Sequence, residues 1–341
     1  MHQPLRLTLS KSAIQSNWRW LADHAGTACG AAIKANGYGT GARDAMLALQ
    51  EAGCRDYYVS TWWEAEELGR MPVDSALSVL HGVGADDMVA ALASTARPVL
   101  NSLEQVERWR TAAPDRACDV MVDTGMNRLG LRIEEIGALA GLRIDTLMSH
   151  LACADEDHPL NAAQLSRFRQ VRAAVPAKRY SLANSAGICL GADYAFDLVR
   201  PGLALYGGIP RDEAAGNICQ VAKVDAQIIQ RRTIRAGETC GYGATFTAAA
   251  DTPAAIINIG YADGYLRGFS SRGRAFAEKA ELKVLGRVSM DLVALDASEA
   301  DVGEGDWVEL DYDLPRAAEA SGLSQYELLT GLGARFERRW I

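Results

Sequence analysis

The feature that most constrains what this 341-residue chain can fold into is a rhythm, repeated up to about residue 210, of a short apolar run, a polar turn and an amphipathic segment. Eight runs of strand type recur, at Ala31–Lys34, Tyr57–Thr61, Ala76–Leu80, Pro98–Leu100, Ala117–Val122, Ile144–Ser149, Arg179–Ser181 and Leu198–Arg200. Segments between them carry apolar residues at helical spacing, as in Ala42–Ala52, Trp62–Leu68, Asp86–Ala93, Glu134–Ala140 and Pro159–Ala174. Ser102 followed by Gln105 is a capping-box pattern opening a helix with Val106 and Trp109 on one face. Ser12 with Gln15 does the same for a leading helix carrying Ile14, Trp18 and Leu21. Strand and helix alternating in this way over roughly 200 residues predict an α/β fold with a parallel (β/α)8 barrel; an open doubly wound sheet is the alternative.

Past about Gly216 the pattern changes. Val221–Ile229, Ala254–Ile259, Leu282–Leu285, Leu292–Leu295 and Trp307–Leu310 are short β-type runs separated by Gly, Asp and Pro, with no regular helix until the tail near Ala317–Leu329. They predict a smaller, mostly β, largely antiparallel C-terminal domain, and a division at 1–215 and 216–341. Composition narrows the class. Hydrophobic residues at 49 % and charged residues at 23 % exclude a mostly disordered chain. Lys and Arg total 35 against 43 acidic residues, a net charge of -8 that argues against nucleic acid as a partner. The seven cysteines are odd in number, widely spaced and without the two-residue gap of a zinc knuckle, so they read as reduced thiols of a cytoplasmic protein. Met1 to Leu7 alternates and reaches Lys11 without a long apolar core, so no signal peptide is expected. No uncharged apolar stretch of about 18 residues exists, so no membrane span is expected either.

A barrel gathers its working groups where the strands end at one face. Lys34 follows the first run, Arg128 lies just past the fifth, His150 follows the sixth, Asn184 and Ser185 follow the seventh, and Arg200 closes the eighth. Each alone reads as structural; their convergence on one mouth does not. A lysine ending an apolar strand is costly to bury unless its charge is used or neutralised. Desolvation lowers its pKa and frees the lone pair for an imine-forming amine, whereas a rim lysine reaching for water is the bland alternative. Ser185, with Gly202 and Leu203 after the eighth run, occupies the standard barrel location for a phosphate, where backbone N–H groups and a hydroxyl can hold a dianion. An imine-forming lysine beside a phosphate cup suggests pyridoxal phosphate. Arg128, a planar fork, suits the carboxylate of an amino-acid substrate. The glycines at Gly37, Gly39 and Gly41 miss the dinucleotide spacing, so a nucleotide is not expected. Two patterns mislead. Val120 to Gly125 looks like half of an aspartic-protease site but has no second copy. His150 to His158 brackets an acidic loop without a metal-binding histidine pattern, so no metal is expected.

These residues fall into the motifs of a known family. Ala32-Ile33-Lys34-Ala35-Asn36-Gly37-Tyr38-Gly39 resembles the pyridoxal-phosphate lysine motif of alanine racemases, and Asp123-Thr124-Gly125-Met126-Asn127-Arg128-Leu129-Gly130 resembles their substrate-arginine motif. Ser149-His150, Ala183-Asn184-Ser185, Val199-Arg200-Pro201-Gly202, Gly241-Tyr242-Gly243-Ala244-Thr245, Gly260-Tyr261-Ala262-Asp263-Gly264 and Ser289-Met290-Asp291 are similar to further family motifs, in family order over nearly the whole chain. The lysine motif alone also fits barrel decarboxylases and a pyridoxal-phosphate-binding barrel protein; the set is specific. The resemblance implies pyridoxal 5'-phosphate as cofactor, with Lys34 as the Schiff-base lysine and the base acting on D-alanine. It implies Tyr242 as the base acting on L-alanine, supplied by the partner subunit of a head-to-tail homodimer. Arg128 and the Met290 backbone would hold the substrate carboxylate, and Arg200 would bond the pyridine nitrogen. Tyr38, Ser185, Gly202 and Leu203 would hold the phosphate, Tyr261 would line the entrance, and His150 would link Tyr242 to Arg200.

The chemistry suits that division. Inverting a stereocentre removes a proton from one face and returns it to the other, so two bases must flank the bound amino acid. A phenol serving at neutral pH must fall by roughly three units, or about 4 kcal/mol of differential stabilisation. Arginine at the ring nitrogen keeps that nitrogen unprotonated and weakens the electron sink, which disfavours transamination; decarboxylases of this fold use an acidic residue there. The implied function is racemisation of alanine, supplying D-alanine for peptidoglycan or taking part in alanine catabolism. Alternatives are a broader racemase acting on serine, a decarboxylase, or a cofactor-carrier barrel, though a carrier usually lacks a second domain and counterparts of Tyr242 and Met290. Two departures stand out. Many family members carry a carbamylated lysine seven residues before the substrate arginine, where this chain has Met121. Activity is therefore expected not to respond to bicarbonate through residue 121. Some members also place a tail tyrosine against the phosphate, and alignment puts Ala334 there.

Overall fold

The computed structural model describes residues 2–341. Ala31–Ala32, Asp56–Val59, Ala76–Val79, Arg97–Leu100, Cys118–Met121, Ile144–Met148 and Arg179–Ser181 lie side by side in chain order, all parallel. The eighth strand, Leu198–Val199, pairs in parallel with Ala28–Cys29. Amides of Gly30 and Ala32 donate to Val199 O and Pro201 O, both at 2.9 Å, while Asp197 N and Arg200 N donate to Tyr180 O and Ala183 O at 3.0 and 2.9 Å. These bonds close the ring. The N-terminal part is thus a (β/α)8 barrel rather than an open sheet. Its strands read as continuous apolar runs because helices cover the outer face and side chains fill the lumen, leaving no solvated side to demand alternation.

The lumen is not wholly apolar. Near the strand starts, buried Asp119 accepts from Ser78 Oγ at 2.5 Å, Thr146 N at 3.0 Å and Arg97 Nε at 3.1 Å. Arg179 donates to Asp56 at 2.8 and 2.9 Å and to Asp145 at 2.9 Å. Each charge in this network has an opposite partner, which is what makes its burial tolerable. The network plugs the end of the barrel where strands begin and leaves the opposite end for chemistry.

Helices form at Ala42–Ala52 and Pro159–Ala174 as the spacing predicts, and at Leu103–Ala112 behind Ser102, whose side chain accepts from Gln105 N. Two local readings are corrected. The leading helix, Lys11–Ala25, is capped by Ser10 and not by Ser12, because Ser10 is the residue with extended backbone that accepts from Ala13 N. Ile133–Leu139 is a 3-10 helix, a tighter turn compatible with its central Gly137.

The second sheet has eight strands built around the 13-residue strand Ala222–Ile234, longer than the predicted Val221–Ile229. That strand pairs antiparallel with Leu5–Leu9, Trp307–Leu310 and Thr252–Ile257. Leu5–Leu9 also pairs in parallel with the tail strand Glu337–Trp340. Residues 5–9 therefore belong to the second sheet, which corrects the assignment of the whole of 1–215 to the barrel. Leu5, Leu7 and Leu9 are buried and alternate with partly exposed Arg6 and Thr8, the period-2 signature of a sheet strand. Both chain ends thus fasten the two units together. Helices Leu314–Ser321 and Gln325–Thr330 lie in the tail. No helix among the described residues is long and apolar enough to cross a membrane.

Candidate active site

Lys34 stands at the strand ends and opens an unusual turn. Ala35, Asn36, Gly37 and Tyr38 all have positive φ, at 51°, 51°, 61° and 53°. A left-handed turn costs non-glycine residues about 1–2 kcal/mol each, so it persists only where its surroundings fix it. Glu64 Oε1 accepts from Ala35 N at 2.7 Å, Asn36 Oδ1 accepts from Ala42 N at 3.0 Å, and Thr40 Oγ1 donates to Gly37 O at 2.6 Å. Glu64 is itself held by the capping box it forms with Thr61. Tyr38, buried, stacks on Tyr206 with centroids 4.8 Å apart.

Charge is concentrated around this turn. Burial and the Arg128 guanidinium hold the Lys34 amine below its ordinary range, while the Glu64 carboxylate opposes them. His150 is pushed down to about 3 by burial and by the charges of Arg200, Arg128 and Lys34. Its imidazole is therefore neutral at physiological pH, beside three cations. Arg200 is buried; its guanidinium donates to Ser149 O at 2.6 Å and to Ser181 Oγ. No carboxylate among the described residues pairs with it. Arg128 itself is exposed on the loop after the fifth strand, where Asp123 Oδ1 accepts from Gly125 N and Met126 N at 2.7 and 2.9 Å. Met121 is buried beneath this loop, its carbonyl accepting from Leu131 N at 2.9 Å.

Across the mouth, Ser185 opens a short helix capped by Asn184. Ser185 Oγ receives the amides of Gly202 and Ala204 at 2.9 and 3.2 Å, and Leu203 starts the next turn between them. A Cβ built at Gly202 would overlap the Tyr38 hydroxyl. The absent side chain is what lets the phenol approach these amides. Hydroxyls and amides thus form a cradle fit for a phosphate, facing an amine of lowered basicity and a buried arginine free of carboxylates. The donor set fits pyridoxal phosphate.

Lys34, Tyr38, Arg128, His150, Ser185, Arg200, Gly202 and Leu203 therefore share one mouth, whereas three other candidates lie on the second domain. Tyr261 N donates to Ser289 O and Ala262 N to Met290 O, both at 3.0 Å, so Tyr261 and Met290 sit on adjoining loops. Arg335 locks those loops through Asp263 at 2.6 and 2.8 Å and Asp291 at 2.7 Å. Tyr242 begins a tight turn and is 69 % exposed; Met290 is 53 % exposed. In the tail, Ala334 stands where the alignment expects the family tyrosine, and a different tail residue lies near Tyr38. Ala334 is exposed next to Arg335, and it is Tyr326 whose ring lies 6.3 Å from that of Tyr38. The Ser324–Glu327 capping box, which fixes the start of its helix, is the signal that could have found it. Glu64 was missed likewise, although Thr61 and Glu64 spell a capping box in the sequence.

Fold and mouth together define a barrel enzyme of the pyridoxal-phosphate type. The alanine racemase N-terminal domain family matches residues 9–210 and the alanine racemase C-terminal domain family residues 221–340. A catabolic alanine racemase of Agrobacterium fabrum is 41 % identical over 98 % of this chain and 92 % of its own length, and the biosynthetic alanine racemase of the same organism is 38 % identical over 99 % and 94 %. The crystal structure of alanine racemase from Bartonella henselae with covalently bound pyridoxal phosphate superposes with a TM-score of 0.93 at 36 % identity, covering all of both chains. The chain belongs to the alanine racemase family, isomerases whose cofactor is pyridoxal 5'-phosphate.

Proposed function

We propose that the protein interconverts L- and D-alanine by a two-base proton transfer, within a homodimer whose active sites are shared, and supplies D-alanine for peptidoglycan in the cytoplasm. When bound, the cofactor withdraws electrons from the substrate and so acidifies its Cα–H. Lys34 would carry it through its amine, Tyr38, Ser185, Gly202 and Leu203 would hold its phosphate, and Arg200 would donate to its ring nitrogen.

The protein's own groups divide the remaining work. Arg128 offers a bidentate fork to the substrate carboxylate, with the Met290 backbone of the partner subunit on its other side. Lys34 Nζ exchanges the Cα proton on the face from which D-alanine reacts, and the phenol oxygen of the partner subunit's Tyr242 exchanges it on the opposite face. One base takes a proton as the other gives one, so each turnover leaves the pair ready for the reverse reaction. His150, kept neutral by burial and by its cationic neighbours, can accept from the Arg200 guanidinium on one ring nitrogen and donate its other N–H to that phenol oxygen, so that the positive charge of Arg200 favours the phenolate. Tyr261 of the partner subunit flanks the entrance.

The observation that carries this reading is the separation of the bases. Lys34 lies in the mouth, while Tyr242 and Met290 stand exposed on the second domain, a placement that makes sense if a second copy receives them. Mixed dimers test it. Lys34→Ala and Tyr242→Phe homodimers should each lose racemisation. In an equal mixture after subunit exchange, half the dimers are mixed and each has one intact site, so about one quarter of parental activity should return. No recovery despite demonstrated exchange would refute shared sites. Incubation of the parent with L-alanine and with L-serine in deuterated water, followed by chiral analysis, separates an alanine enzyme from a broader racemase.

A further inference from the structure

Gln164 is a fully buried polar side chain, on the helix Pro159–Ala174, that none of the roles above uses. Its Nε2 donates to His150 O at 2.9 Å and to Thr124 Oγ1 at 3.2 Å, and its Oε1 accepts from Ala152 N at 2.9 Å. Both donors and the acceptor are thus engaged, and they reach two segments far apart in sequence. Thr124 starts the loop that carries Arg128; His150 and Ala152 leave the next strand. Thr124 Oγ1 lies 2.7 Å from Ser149 Oγ, and Ser149 O receives the Arg200 guanidinium at 2.6 Å. One turn along the same helix, Arg167 donates to Thr124 O at 2.8 Å. A single amide therefore sits at the junction of the segments bearing Arg128, His150 and Arg200.

We propose that Gln164 is a positioning residue for racemisation, which sets the distance between the Arg128 loop and the His150 strand end and so the fit of the substrate carboxylate. The proposal rests on the roles given above to Arg128 and His150. Its physical basis is that a buried amide with every hydrogen bond made has one low-energy orientation, so the two backbones it joins cannot drift independently. Neither the phosphate cradle nor Lys34 is among its partners.

The test measures racemisation kinetics, cofactor affinity and thermal stability for Gln164→Leu, which keeps much of the volume and removes the hydrogen bonds, and for Thr124→Val, which removes one acceptor. The expected result for Gln164→Leu is a rise of about tenfold or more in KM for both alanine enantiomers, with pyridoxal phosphate affinity within about twofold of the parent. Thr124→Val should move KM the same way by less, and the double variant should fall short of the product of the two effects. Should Gln164→Leu fail to fold, the KM rise in Thr124→Val with cofactor affinity preserved still carries the proposal. A lowered melting temperature with unchanged KM in both variants would make Gln164 merely structural and overturn it. An equal loss of cofactor affinity would also overturn it, by showing a general loosening of the mouth. Absence of racemisation in the parent would instead refute the functional reading on which the proposal depends.

Discussion

Gly202→Ala tests the cradle by adding a single methyl group. The new Cβ would overlap the Tyr38 hydroxyl and lie 2.8 Å from Tyr38 Cζ and 3.4 Å from Ala32 Cβ. Something must move, and Tyr38 has little freedom, being buried and stacked 4.8 Å from Tyr206. If nothing yields, overpacking costs about 1–3 kcal/mol. If the phenol swings away, its hydrogen bond to a dianionic phosphate is lost, about 1.5–3 kcal/mol for a charged acceptor. The second route weakens pyridoxal phosphate binding by roughly 10- to 100-fold, since each 1.4 kcal/mol is about a factor of ten, whereas the first lowers stability with or without the cofactor. The assay is titration of apoenzyme with the cofactor, followed by absorbance, with circular dichroism as the check on folding. Tyr38→Phe removes the colliding oxygen, so Gly202→Ala should cost less in that background than in the parent. Affinity within about twofold of the parent together with unlowered stability for a folded Gly202→Ala, or strictly additive effects, would refute the cradle as described.

The charge arrangement at Lys34 gives two predictions of opposite sign. In its proposed role Lys34 captures the cofactor as the free amine, so the rate of holoenzyme formation should climb as pH rises through its pKa. Glu64→Gln removes a charge that raises that pKa and should move the climb to lower pH; Arg128→Met removes one that lowers it and should move the climb to higher pH. Shifts in the same direction would contradict the assignment. For His150 the folded pKa is depressed from 6.5 to about 3, so between those values the unfolded chain binds a proton that the folded chain refuses. Stability should fall as pH falls through that window, and His150→Gln should flatten the dependence in acid denaturation curves. Arg335→Met leaves buried Asp263 without its guanidinium and frees the loop of Met290, so a loss of about 1–3 kcal/mol in stability and a raised KM for alanine are expected, read by thermal melts and steady-state kinetics.

Periodicity made the barrel legible because a buried parallel strand and its covering helix each leave a local pattern. All eight runs mark a strand, with ends displaced by a residue or two. What local pattern could not reveal was pairing between distant segments. Leu5–Leu9 alternates like any half-buried strand, and only its partners in Ala222–Ile234 and Glu337–Trp340 assign it to the second sheet. Arg274–Ala277 escaped notice for a related reason: four residues with an exposed arginine at the start carry too little periodicity to stand out. The mouth residues were legible as the charged or hydroxylated groups at strand ends. Glu64 shows in the sequence only as the capping-box partner of Thr61, with no sign that it also meets Ala35 N, and Gln164 lies in the interior of a helix, where a polar residue gives no sign of the loops it will meet.

The electrostatics of the mouth bind these observations together. Lys34, Arg128 and Arg200 bring three cations to one cavity, and Glu64 is the anion whose field reaches the lysine. Such a site is incomplete as a structural core, since unpaired positive charge in a confined space repels itself. It becomes balanced when a phosphate dianion settles in the Ser185–Gly202 cradle and a carboxylate meets Arg128. Burial, together with the same excess, keeps His150 neutral and lowers the basicity of the lysine, and under the proposed function the same mouth would serve cofactor capture, substrate anchoring and the two proton-handling groups on this chain. Under the proposed function the remaining proton-handling group is the exposed Tyr242 phenol of the second domain. In the proposed homodimer, a barrel mouth of this charge would receive from the second copy a phenol that it lacks alone.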